Sequence, residues 1–116
     1  MNAMLSIPLQ SQLMETLKIF GDAETVAVAA LRHYALDRCL QRIEQAEQRI
    51  AHYEAQYGMP YETFNRRVCT DPTFLDKANL EHPTWEADAI EWVERIEEAR
   101  QWRQRSELIL QEHPTS

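Results

Sequence analysis

The chain has 116 residues, a formal net charge of −7 and only two glycines, Gly21 and Gly58. That length suits one domain and not two full cores. Two glycines and three asparagines cannot furnish the turns of a β-sandwich or barrel, and they exclude glycine-rich phosphate loops outright.

Two cysteines, Cys39 and Cys69, are too few for a disulfide framework, which points to a reducing cytoplasm. The opening MNAMLSIPLQ has no basic flank and no long apolar run, so it does not read as a signal peptide. The longest unbroken apolar run, residues 26–31, is far short of the ~20 residues that span a bilayer. The expectation is a soluble, cytoplasmic protein with no membrane partner.

Residues 4–10 alternate, with Leu5, Ile7 and Leu9 on one face and Ser6, Pro8 and Gln10 on the other. That is the period of a strand, and the only clear case in the chain. A lone strand needs a partner, and the chain offers no second one, so the pattern predicts pairing with the same strand of another copy. Pro8 is tolerated there if its nitrogen points away from the ladder. Ser11 reads as an N-cap, with Leu13, Met14, Leu17 and Phe20 at helical spacing behind it. Gly21 ends that short helix and Asp22 caps the next.

The second helix is long. Positions 36, 39, 43, 46, 50, 53 and 57 step by three and four, the spacing of a helix-packing seam, and Cys39 on it reads as a small buried hydrophobe. At 1.5 Å per residue this helix extends roughly 50 Å, so its distal half must pack on another helix or another chain. Gly58 and Pro60 stop it. Residues 60–70 form a short helix with Tyr61, Phe64 and Val68 on one side. Asp71-Pro72 and His82-Pro83 bracket another, carrying Phe74, Leu75 and Leu80. Thr84 caps a last helix to about residue 110, where Trp85, Ala89, Trp92, Ile96 and Ala99 again step by four and three. The border at 58–60 divides residues 1–57 from a region 58–116 of different character. Residues 1–50 carry a net charge of −1 and residues 51–116 carry −6, together with all three tryptophans.

Strand, short helix, tight turn and longer helix is the order of the ribbon-helix-helix DNA-binding module. Residues 4–36, LSIPLQSQLMETL followed by AVAALRHY, resemble that family. The resemblance implies an intertwined homodimer whose two strands enter the major groove of an operator. It implies a fold that is mainly α with one short β-strand. Ser6 and Pro8 would face the bases, flanked by Met4 and Gln10. Leu5, Ile7, Leu9, Leu13, Leu17, Ala30 and Leu31 would form the dimer core. The start of the long helix, including Thr25, would meet phosphate through its backbone, with Lys18 and Arg32 beside it. The strand carries no Arg or Lys, and Asp22 and Glu24 put negative charge where phosphate docks, so binding is expected to be weak alone and to call for dimer arrays or a bound partner. The plainer alternative is a ribbon that serves dimerisation only.

YGMPYETF at 57–64 and WEADAIEW at 85–92 resemble the C-terminal region of antitoxins from prokaryotic toxin–antitoxin modules. That implies a transcriptional autorepressor whose helical, acidic, aromatic C-terminal half neutralises a basic toxin. Tyr61, Phe64, Phe74, Trp85, Trp92 and Trp102 would be anchors, and Glu86, Asp88, Glu91 and Glu94 would match its cations. The competing expectation is that Trp85 and Trp92 pack against the 43–57 seam as ordinary core. A different class of function, a helical dimeric adaptor with no DNA role, stands beside the antitoxin reading.

Nothing in the sequence points to catalysis. Of His33, His52, His82 and His113, only His33 has a carboxylate at helical spacing, Asp37, and two ligands do not make a metal site. No cofactor, no metal and no enzymatic activity are expected.

Overall fold

A computed structural model describes residues 11–112. Five helices account for nearly all of them: α1 (Ser11–Ile19), α2 (Ala23–Tyr57), α3 (Tyr61–Thr70), α4 (Pro72–Glu81) and α5 (Trp85–Gln111). There is no strand among the described residues. The expected ribbon-helix-helix fold is therefore corrected to an all-helical one. The stretch 4–10, which carried the strand expectation, lies outside the described residues, as do Met4, Leu5, Ser6, Ile7, Pro8, Leu9 and Gln10. The physical reason for the correction is that the strand pattern required a second strand to pair with, and the described residues, helices and the turns between them, offer none.

The helix boundaries follow from local chemistry. Gly21 has φ +138° and Gly58 has φ +73°, a region that side chains with a Cβ rarely enter. Asp22 closes the first turn of α2, its carboxylate accepting from the Thr25 backbone N–H at 3.1 Å. Neither α2, at 35 residues, nor α5, at 27, contains a glycine or proline, so nothing interrupts either. Asp71 serves two helices. Its own N–H donates to Arg67 O at 2.9 Å, closing α3. Its carboxylate accepts from Thr73 N at 3.1 Å and Phe74 N at 3.2 Å, opening α4 with Pro72 in the first turn.

The chain divides into two compact units, the first ending at Arg38 and the second starting at Cys39. The division falls inside α2, and Gly58 lies within the second unit. In the first unit, α1 and the start of α2 are joined by the Gly21 turn, and no described residue is buried. Leu13, Ile19, Phe20, Leu31 and Tyr34 are all exposed there.

The second unit has a core. Residues 39–57 of α2 run antiparallel to α5: Arg42 meets Trp102, Tyr53 meets Glu91 and Tyr57 meets Asp88, so contacts descend along α5 as they ascend along α2. Helix α3 packs on α4 and on α5. Tyr53, Tyr57, Phe64, Val68 and Trp92 form the buried centre, with Ile50, Met59, Phe74, Leu75, Trp85 and Ile96 packed around it. Cys39, Ile43 and Ala46 continue the buried stripe of α2. No described helix is long and apolar enough to cross a membrane.

Candidate functional site

The second unit is organised by aromatic rings. Trp92 is 0% exposed and stacks on Tyr53 and Tyr57 at ring-centroid distances of 5.7 and 5.6 Å. Phe64, 1% exposed, lies 5.7 Å from Trp92 and 4.7 Å from Tyr57, with Phe74 and Trp85 edge-on to it. Rings at these separations gain attraction beyond the area they bury. The apolar stripes of α2 and α5 meet each other here, which is why their three-and-four spacing matches.

A polar ladder edges this core. The Tyr57 hydroxyl donates to Asp88 at 2.6 Å, and the Tyr53 hydroxyl donates to Glu91, which also pairs with Arg49 at 2.6 Å. Burial, followed by the bond to Glu91, pushes the Tyr53 hydroxyl above its ordinary value. Burial and then Asp88 do the same, more strongly, for Tyr57. The hydrogen bond from Tyr53, then that from Arg49, holds Glu91 below the usual carboxylate range. These groups tie α2 to α5.

The residues expected to touch partners fall into distinct places. Trp92 and Phe64 are inside the core, out of reach of any partner. Tyr61, Phe74 and Trp85 are half-buried around it, and the Trp85 indole N–H donates to Asn79 at 2.7 Å. Asp88 and Glu91 are occupied by the ladder. Glu94 is exposed and lies 3.5 Å from Arg95, and Glu86 is exposed. Trp102 is half-buried, with Arg42 and Arg105 at 5.9 and 5.7 Å from its ring. In the first unit, Lys18 pairs with Glu15 at 3.6 Å, and Thr25 bonds through both N–H and hydroxyl to Asp22. Arg32 and Leu17 are half-buried, and Leu13, Ala30 and Leu31 are exposed.

Two features remain open to other molecules. One is the outer face of α5. Glu86, Ile90, Val93, Glu97, Gln101 and Leu108 share it at helical spacing and all are exposed, Ile90 at 60%. The other is a half-open cavity of about 280 Å³ between α3 and α4, reaching Tyr57 and Met59. Its floor includes Phe64 and Phe74, and its rim carries Arg67, Lys77 and His82. The sequence alone does not single out Arg67 or Lys77, because neither belongs to an apolar stripe or a recognisable motif. The Arg67 guanidinium, 4.1 Å from the Phe74 ring centre, acquires its setting only when α3 and α4 meet. Among the described residues no group of three His, Cys, Asp or Glu side chains is placed to hold a metal ion.

Comparison of the chain with protein-family models, with curated proteins and with solved structures gives no match. The reading of function therefore rests on the residues themselves.

Proposed function

We propose that this chain is a non-enzymatic interaction protein that self-associates through its first unit and presents the second to another protein. The single observation that carries the reading is the contrast in burial. No described residue of the first unit is buried although it displays Leu13, Ile19, Phe20, Leu31 and Tyr34, whereas the second unit fills its own core. A two-helix segment of this size cannot bury a core alone, and segments below about 40 residues ordinarily need association. Its net charge is only −1, so a second copy meets little repulsion. The test is analytical ultracentrifugation of the full chain. A dimer is expected, and Leu13→Lys with Leu31→Lys should give a folded monomer. A monomeric wild-type chain overturns the proposal.

Neutralisation of a basic toxin is the form of partner binding that the C-terminal resemblance favours. The supporting observation is the outer face of α5, where Ile90 and Val93 stay exposed between Glu86 and Glu97. The anchors in this reading are those two residues rather than Trp92 and Phe64. Coexpression with the product of the adjacent reading frame tests it. Growth arrest by that product, relieved by this chain but not by its Ile90→Lys, Val93→Lys variant, is the expected result. Relief by the variant equal to wild type rejects the α5 face. The DNA-reading role assigned to a ribbon is not carried forward, because it depended on the corrected fold.

A further inference from the structure

Acid outnumbers base in this chain by seven charges, so acidic groups are plentiful around its cations. In the second unit Arg49, Arg95, Arg100 and Arg103 are all ion-paired, to Glu91, Glu94, Glu97 and Glu47 respectively. Arg42, Arg66, Arg67, Lys77 and Arg105 of that unit are in none of these pairs, and of the five only Arg67 and Lys77 line the cleft between α3 and α4. Neither side chain forms an ion pair or a hydrogen bond with the described residues, and both line the same concavity. Lys77 is three positions beyond Phe74, one turn further along α4, and the Arg67 guanidinium reaches over the same ring from α3, 4.1 Å from its centre. Two acids share the wall. Asp71 spends its carboxylate on the Thr73 and Phe74 N–H groups. Glu81 is four residues beyond Lys77 on the same face of α4, at the end of the helix.

The floor below these cations is aromatic. Tyr57 and Phe64 lie 4.7 Å apart, Phe74 is edge-on to Phe64, and the His82 ring is 4.7 Å from Tyr57. The cavity measures about 280 Å³, close to the lower end of the ~300–1,000 Å³ usual for ligand sites. Apolar concavities with a few convergent polar groups are the usual form of small-molecule sites. A guanidinium held flat against a ring keeps its edge N–H groups free for the two oxygens of a carboxylate.

We propose that the cleft between α3 and α4 binds a small planar aromatic carboxylate, its ring against the half-buried Phe74, Met59 and His82 and its carboxylate between Arg67 and Lys77. This site is independent of the protein-binding reading above. It can be tested on the full-length chain with isotope-labelled methionine methyl groups, because Met59 lines the cavity and Met14 does not. Naphthoate is the probe and its neutral isostere naphthamide the comparator. Naphthoate should shift the Met59 methyl resonance saturably and leave Met14 unmoved. Naphthamide should bind about tenfold more weakly. Lys77→Gln and Arg67→Gln, both at exposed positions that leave the aromatic floor in place, should each weaken naphthoate by about tenfold with helicity unchanged. A Met59 resonance unmoved at millimolar naphthoate overturns the proposal. Equal binding of naphthamide, or undiminished binding by both variants, overturns it as well.

Discussion

Trp92 touches Tyr53, Tyr57, Tyr61 and Phe64, and no other side chain of its size is so fully enclosed. Trp92→Ala leaves a large void at the meeting point of α2, α3 and α5 and should cost about 4 kcal/mol, read from urea unfolding. Tyr57→Phe keeps the stack and removes only the bond to Asp88, a loss of about 1 kcal/mol at neutral pH. The two kinds of polar group respond to pH in opposite directions. Tyr57 has its hydroxyl raised by burial and by Asp88, so its contribution is complete below the ordinary tyrosine value of 10.0 and is lost as pH climbs through the raised value. The Tyr57→Phe chain should therefore lose less stability in strong alkali than wild type, as urea midpoints across that range would register. Glu91 is lowered, chiefly by the Tyr53 hydrogen bond, so its contribution exists above the ordinary carboxylate value of 4.5 and disappears as pH falls through the lowered one. Glu91→Gln should narrow its gap to wild type as the solution is acidified. Solvent reaches both partners of the Arg49–Glu91 pair, so screening leaves the ion pair a minor contributor to stability.

At the level of elements, punctuation decides the architecture. A Cβ built on Gly58 meets nothing within 4 Å, so the glycine is required by its φ of +73° and not by space. Gly58→Ala should cost about 1 kcal/mol by thermal unfolding, from backbone strain alone. Asp71→Ala removes the α4 cap and should cost a similar amount, about 1 kcal/mol. Much of this was legible in advance. Asp22, Gly21, Gly58 and Asp71-Pro72 each act through neighbours a few residues away, so their roles can be read from local sequence. The stripe 39, 43, 46, 50, 53 and 57 was legible for the same reason: period reports which residues share a helix face. Period does not report what the face meets. Trp85 and Trp92 suited a core and a partner surface equally well on spacing. Only the approach of α5 to α2, more than thirty residues away in sequence, decides between them. The alternation at 4–10 lies outside the described residues, and seven residues of period two define a face but supply no neighbouring strand.

For the molecule as a whole, the unequal sharing of charge and burial is the main result. The second unit holds the core and most of the acid, but the acid is less available than its count implies. Glu47, Glu91, Glu94 and Glu97 are each engaged by an arginine, and Asp88 by Tyr57 and Gln56. A basic partner would meet the outer α5 face as a mixed apolar and acidic surface. The three tryptophans sit in three different settings. The Trp92 indole N–H is buried with no acceptor, that of Trp85 donates to Asn79, and the Trp102 ring has two guanidinium groups near it, at 5.9 and 5.7 Å. An indole sealed among rings without a hydrogen bond has no polar surroundings to relax around its excited state, so Trp92 should emit at the blue edge of the fluorescence spectrum. The protein thus carries a built-in optical gauge of its own interior, in which loss of that blue component marks the moment the α2–α5 contact opens.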